Sequence, residues 1–133
     1  MIEDEAAWLA MWNGPDLEAI RQMSADDLEV TAVTAAIEPR HYTGSEAAVR
    51  WLEELRERLD AGWVATKATE LADDVVVTEG ELRFFEETAT GAERQTFAIL
   101  MRFRGDKLRW IGTFVTMAAA REAWERGIGA EEP

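Results

Sequence analysis

The dominant spacing of this chain's apolar residues changes near residue 62, and that change limits the fold more than any other feature. Up to about Asp60 they recur mostly every third or fourth position; from Trp63 onward they alternate. Helical spacing followed by a long alternating stretch predicts helices laid against one sheet rather than a bundle or an all-β sandwich. Trp8, Met11 and Trp12 form a first short helical stripe, and Leu17, Ile20 and Met23 a second. Asn13-Gly14-Pro15-Asp16 separates them. A strand is predicted over 28–34, where Leu28, Val30 and Ala32 share a face. A loop is predicted over 38–44, and Thr43-x-x-Glu46 fits a capping box. The helix that follows, to about Asp60, places Ala48, Leu52, Leu55 and Leu59 on one stripe.

Four further strands are predicted over 63–71, 75–87, 93–104 and 108–116. Asp73-Asp74, Thr90-Gly91 and Gly105-Asp106 are the turns between them. In the third of these strands Phe97, Ile99, Met101 and Phe103 share one face. A closing helix from about Ala118 should end at Gly127. With 133 residues, no repeat and no linker, one domain over 1–133 is expected.

Charge and composition exclude several partners. Twenty-seven acids against fourteen bases give a formal charge of -13, a field that repels phosphate backbones, so no nucleic-acid partner is expected. No apolar run approaches the roughly 18 to 20 residues of a membrane span, and the acidic start MIEDEAAW lacks a secretory pattern. The cytoplasm is the expected compartment. The chain has no cysteine, and a lone histidine makes a poor metal site, so neither a metal nor a cofactor is expected. Six tryptophans can form a core or the wall of an apolar pocket.

The order of elements and several phrases resemble the SnoaL-like group of the nuclear-transport-factor-2-like superfamily. Trp12-Asn13-Gly14-Pro15-Asp16-Leu17-Glu18-Ala19-Ile20 resembles its opening, and Ala25-Asp26-Asp27-Leu28-Glu29-Val30 its first strand entry. Tyr42-x-Gly44-x-Glu46-Ala47-Ala48 resembles its long-helix entry, and the run from Phe97 to Leu108, FAILMRFRGDKL, its hairpin. The resemblance implies an α+β fold, a curved and mostly antiparallel sheet wrapped as a cone around the N-terminal helices and one long helix. It also implies a pocket between them.

It further implies where chemistry would stand. A steroid isomerase of the group needs an aspartate base, a tyrosine donor and a protonated aspartate; the matching positions are Ala32, Trp8 and Ile99. An epoxide hydrolase places an Arg and an Asp on one strand and an Asp on the last; here these positions are Gly80-Glu81-Leu82 and Thr113. A strand register shifted by one residue would turn Glu79, Glu81 and Arg83 inward and restore that chemistry. Cyclases use an acid and a histidine, matched by Thr113 and Ile99. The one histidine, His41, and Glu38 sit in the predicted loop and are the remaining acid–base candidates.

The expected pocket lining is therefore Trp8, Val30, Ala32, Leu82, Phe84, Phe97, Ile99, Met101, Ile111 and Thr113. Either it is a filled core, or it is a dry cavity for a small apolar molecule with one hydrogen bond. Ala32 and Gly80 hint at space. On the opposite face, Phe85, Leu100, Trp110 and Phe114 would form a homodimer surface unless the closing helix covers them.

Overall fold

The computed structural model describes residues 4–13, 15–34, 37–59, 61–84 and 95–130; at 32–34, 37–40, 58–59, 61–62, 82–84 and 95 only the backbone is described. The elements in chain order are α1 (Glu5–Asn13), α2 (Leu17–Met23), β1 (Ser24–Thr34), β2 (Ile37–Thr43), α3 (Ala47–Leu59), β3 (Ala61–Ala72), β4 (Val75–Phe84), β5 (Gln95–Arg104), β6 (Lys107–Phe114) and α4 (Met117–Glu125). The strands form one sheet in the order β2-β1-β6-β5-β4-β3. All neighbours pair antiparallel except β1 with β6, which run parallel. The expected α+β architecture is present.

The structure departs from the sequence reading at the loop and the helix cap expected around residues 38–46. Residues expected as the loop over 38–44 include β2, which pairs with β1 in the register Val30↔Tyr42 and Thr31↔His41. Pro39 and the charges at Glu38 and Arg40 hide this strand from pattern reading. Proline, which has no N–H to donate, is tolerated there because β2 is the sheet edge and its pairing with β1 is irregular between Ala32 and Thr34. The capping box also does not form. Thr43 ends β2, and the Glu46 carboxylate instead accepts from the Arg21 Nε at 2.7 and 2.8 Å. That bond holds the Arg21 guanidinium above its ordinary pKa.

α1 is fastened to β3 by a side chain that imitates a strand. Asn13 Nδ2 donates to the Ala65 carbonyl at 2.9 Å, and the Ala65 N–H donates back to Asn13 Oδ1 at 2.5 Å. Asp16 caps α2 by accepting from the Ala19 N–H at 3.0 Å. α4 ends as expected at Gly127, whose φ of 74° permits the closing turn. Ile128 N–H reaches back to the Ala123 carbonyl at 2.9 Å.

Alternation along β4, β5 and β6 feeds two separate cores. Val76, Phe97, Ile99, Met101, Phe103 and Ile111 face α1 and α3, whereas Val75, Val77, Ala98, Leu100 and Trp110 face α4. A bulge at Arg102/Phe103, where β5 meets β6, carries the alternation past an unpaired residue. No described helix is long and apolar enough to cross a membrane.

Candidate functional site

The inward face of the sheet is the candidate site, and its side chains are set by register. Thr78 pairs with Ile99, Ile99 with Thr113, and Met101 with Ile111, so these side chains lie in one band across β4, β5 and β6. Of the expected lining, Val30, Phe97, Ile99, Met101 and Ile111 belong to one buried cluster, with Trp8 packed against it and Thr113 buried opposite Ile99. The side chains of Ala32, Leu82 and Phe84 lie outside the described residues, as does that of Glu38.

The tryptophans define this interior more than the sequence reading anticipated. Trp12, Trp51 and Trp63 are all buried in the same cluster as the expected lining. Ring centroids lie 5.9 Å apart for Trp8–Trp12, 5.9 Å for Trp12–Trp63 and 6.1 Å for Trp51–Trp63. Trp8 also meets Phe103 at 6.0 Å. α1 brings Trp8 and Trp12, α3 brings Trp51, and β3 brings Trp63. Trp51 lies off the stripe expected for α3. The buried face runs through Ala48, Trp51 and Leu55, and Leu52 is only half-buried.

Gly80 was expected to mark empty space, and its room is instead filled. A Cβ placed there would meet Trp63 Nε1 and the Val64 carbonyl, each at 2.4 Å. The missing side chain lets the Trp63 indole lie against the sheet.

Polar groups on the inward face are few. Trp8 Nε1 donates to Thr78 Oγ1 at 3.0 Å, and the Thr78 hydroxyl in turn lies 3.8 Å from Met101 Sδ. Thr78 thus stands beside Thr113 as a buried polar group of this face. At the edge of the cluster the Tyr42 phenol donates a short hydrogen bond to Glu54 of α3, and Arg50 lies 5.9 Å from the Tyr42 ring centre. Neither member of that pair stood out as a pair in the sequence, since they are twelve residues apart and only β2 and α3 together join them.

The buried indole N–H groups of Trp12, Trp51 and Trp63 have no acceptor among the described residues. A buried unpaired donor costs roughly 1–3 kcal/mol, so each raises the free energy of the folded chain unless something else accepts from it.

The acid–base candidates fall elsewhere. His41 is exposed on the face of β2 opposite Tyr42. Its two ring nitrogens lie 3.3 Å from the Thr31 and Thr43 hydroxyls. Glu79 and Glu81 face outward, in step with Val77 and Ala98, so the one-residue shift that would aim them inward does not occur. They line an open groove of about 420 Å³ with Lys67, Thr96, Val115 and Met117. No described group of three or more His, Asp and Glu could hold a metal ion.

Part of the outer face is covered within the chain. Leu100 is 0% exposed and Trp110 9%, both beneath α4, and Phe114 is half-buried against the same cluster. Phe85 lies outside the described residues. The closing helix covers Leu100 and Trp110, which pack with Ala120 and Ala123. Arg102 Nε and Arg109 Nη1 donate to the carbonyls of Ile128 and Gly129 at 2.9 and 2.7 Å, tying the segment after α4 to the sheet. Burial lowers the Arg102 pKa, and repulsion from Arg109 adds to this while Asp74 opposes it.

Known structures share this fold at low identity. A protein with a ketosteroid-isomerase-like fold from Catenulispora acidiphila, in complex with trimethylamine, is 24% identical with a TM-score of 0.62, covering 86% of each chain. A cystatin-like protein of unknown function from Xanthomonas campestris has a TM-score of 0.64 at 13% identity, over 90% of this chain and 92% of that one. TerC, co-crystallised with polyporic acid, has a TM-score of 0.63 at 18% identity, over 90% and 94%. No curated protein matches the sequence. The SnoaL-like domain family matches residues 6–111, which covers the first three helices, the interior and most of the sheet just described, and stops short of α4. The chain belongs to the SnoaL-like domain family.

Proposed function

We propose that this protein binds a small apolar molecule in the tryptophan-lined interior and performs no chemistry on it. One observation carries the reading: the interior between sheet and helices is built from Val30, Phe97, Ile99, Met101, Ile111 and four indoles, with threonines as the polar groups of the sheet's inward band. Neither a threonine nor an aliphatic side chain is poised to move a proton near neutral pH. The positions at which the resemblance expects acids are Ala32, Ile99 and Thr113 here. Aromatic and aliphatic walls with few polar groups are the usual lining of small-molecule sites. Two proteins of this fold were crystallised with small molecules, trimethylamine and polyporic acid.

A second reading, an isomerase, hydrolase or cyclase, has one observation in its favour: the Tyr42–Glu54 pair at the margin of the buried cluster. A panel of apolar compounds followed by thermal unfolding separates the readings. A ligand that binds only the folded chain raises the unfolding temperature by mass action. Binding with no conversion of the bound compound supports the first reading. Conversion that is lost in Glu54→Gln or His41→Ala would replace it with the second, and no stabilisation by any compound would remove both.

A further inference from the structure

The segment after α4 meets two cations of the outer face with neutral oxygens. Arg102 Nε donates to the Ile128 carbonyl at 2.9 Å, and Arg109 Nη1 to the Gly129 carbonyl at 2.7 Å. Arg102 is only 6% exposed, yet its Nη2 has no acceptor among the described residues. Nε–H and Nη2–H are the parallel donors of one guanidinium edge, which matches the two oxygens of a carboxylate. The Ile128 carbonyl brings one oxygen to an edge that offers two donors. Arg109 also repels Arg102, with Asp74 opposing. A buried guanidinium is costly unless a counter-charge and full hydrogen bonding compensate it.

Beside this pair lies a pocket of about 250 Å³ whose lining includes Asp27, Glu29, Arg104, Arg109, Trp110 and Gly129. The Ile128–Gly129 peptide links it to Arg102, since Gly129 lines the pocket and the Ile128 carbonyl meets the guanidinium. Gly129 sits at a φ of 76°, and a glycine there lets that peptide turn at little cost.

We propose that Arg102 and Arg109 form a binding site for a small organic monocarboxylate, covered in the ligand-free chain by residues 127–130. The ligand replaces the Ile128 and Gly129 carbonyls: its two oxygens accept from Nε and Nη2 of Arg102, and Arg109 supplies the second positive charge. The groups present select the class. A neutral amide brings one acceptor and adds donors that no guanidinium can receive. An organic cation is repelled by both arginines. Glu29 on the pocket wall and the chain's charge of -13 penalise each further negative charge, which favours a monoanion over a phosphate. Asp27 does not compete for the site, because Arg104 holds its two oxygens at 3.1 and 3.2 Å. The Trp110 ring offers a wall for an apolar or aromatic body. This site is on the face of the sheet opposite the interior and stands independently of the binding reading above.

The test compares benzoate, benzamide and benzylammonium on the whole chain. Benzoate is expected to bind about tenfold more tightly than benzamide, the difference that a charged acceptor makes. It should move the Trp110 indole N–H resonance and leave those of Trp8, Trp12, Trp51 and Trp63 in place. Arg102→Lys keeps the charge but removes the paired donors, so benzoate affinity should fall about tenfold. Gly129→Ala should raise it, because a Cβ there would lie 2.3 Å from the Trp110 ring at an unfavourable φ, loosening the cover while both arginines remain. A merely structural clasp would give no such gain. Should Arg102→Lys fail to fold, the natural chain and Gly129→Ala decide. No benzoate binding, or equal affinity for benzoate and either other probe, overturns the proposal. So does an affinity unchanged in Arg102→Lys or not raised in Gly129→Ala. Movement confined to the four inner indoles overturns it as well, and places benzoate in the interior.

Discussion

The two faces of the sheet are built from the same strands by the same alternation, yet they are finished differently. On the outer face Trp110 is enclosed by the chain itself. A Cβ at Gly112 or Gly129 would come within 2.3 Å of its ring, and Arg102 and Arg109 bond the carbonyls that follow α4. On the inner face the tryptophans touch one another through ring edges, and three of their N–H groups stay unmatched. Arg102 Nη2 on the outer face also has no partner among the described residues, so the contrast lies in three such donors gathering on touching rings of the inner face. A structural core has no reason to concentrate unpaired donors, whereas a recognition surface does.

Substitutions on the two faces should therefore differ in kind. The largest effect is expected from removing residues 117–133, which uncovers Leu100, Trp110 and Val77. Burial of each large apolar side chain is worth ~1.5–3 kcal/mol, so the loss should be about 5 kcal/mol or more. Denaturant unfolding would measure it, and binding of a hydrophobic dye would report the uncovered face. A truncated chain as stable as the full one would mean that α4 does not close a core.

Next in size is Gly80→Val. The Val64 carbonyl it would strike belongs to the backbone and the Trp63 ring has little room to retreat, so a loss of about 3 kcal/mol is expected by denaturant unfolding. Thr78→Val should cost about 2 kcal/mol, because it removes the acceptor of Trp8 and adds a fourth unmatched indole to the same interior. An unchanged midpoint would show that Trp8 finds another acceptor, weakening the argument from the other three.

The smallest effect is expected outside both cores. Asp27 is held below the ordinary aspartate pKa, chiefly by its hydrogen bonds to Arg104 at 3.1 and 3.2 Å. A depressed folded-state pKa means that the pair stabilises the chain above the unfolded aspartate's pKa, and that this is lost as pH falls through the lowered value. The group is exposed, so Asp27→Asn should flatten the acid side of a stability–pH profile only slightly.

Much of this was legible in the sequence, for reasons that can be named. The hairpin segment 97–103 alternates without interruption, and register propagates from it to Val76, Thr78, Ile111 and Thr113 without further information. What escaped reading depended on contacts between distant segments. β2 carries a proline and charges that only its edge position excuses. Gly80 read as vacant because the ring that fills it comes from the neighbouring strand, paired in the register Ala65↔Gly80. Trp51 is one of two large apolar residues side by side on α3, and spacing alone could not choose it over Leu52 as the inward one. The Tyr42–Glu54 pair likewise exists only once β2 and α3 meet.

Six tryptophans offer one decisive measurement, because Trp8, Trp12, Trp51 and Trp63 report the inner face and Trp110 and Trp124 the outer. Their indole N–H resonances can be followed while the whole chain is titrated with tetralin, a hydrocarbon that neither donates nor accepts. Resonances of the inner set should move while Trp110 and Trp124 stay fixed. Movement confined to Trp110 and Trp124, or of none of the six, would contradict the assignment of the inner face as the binding surface.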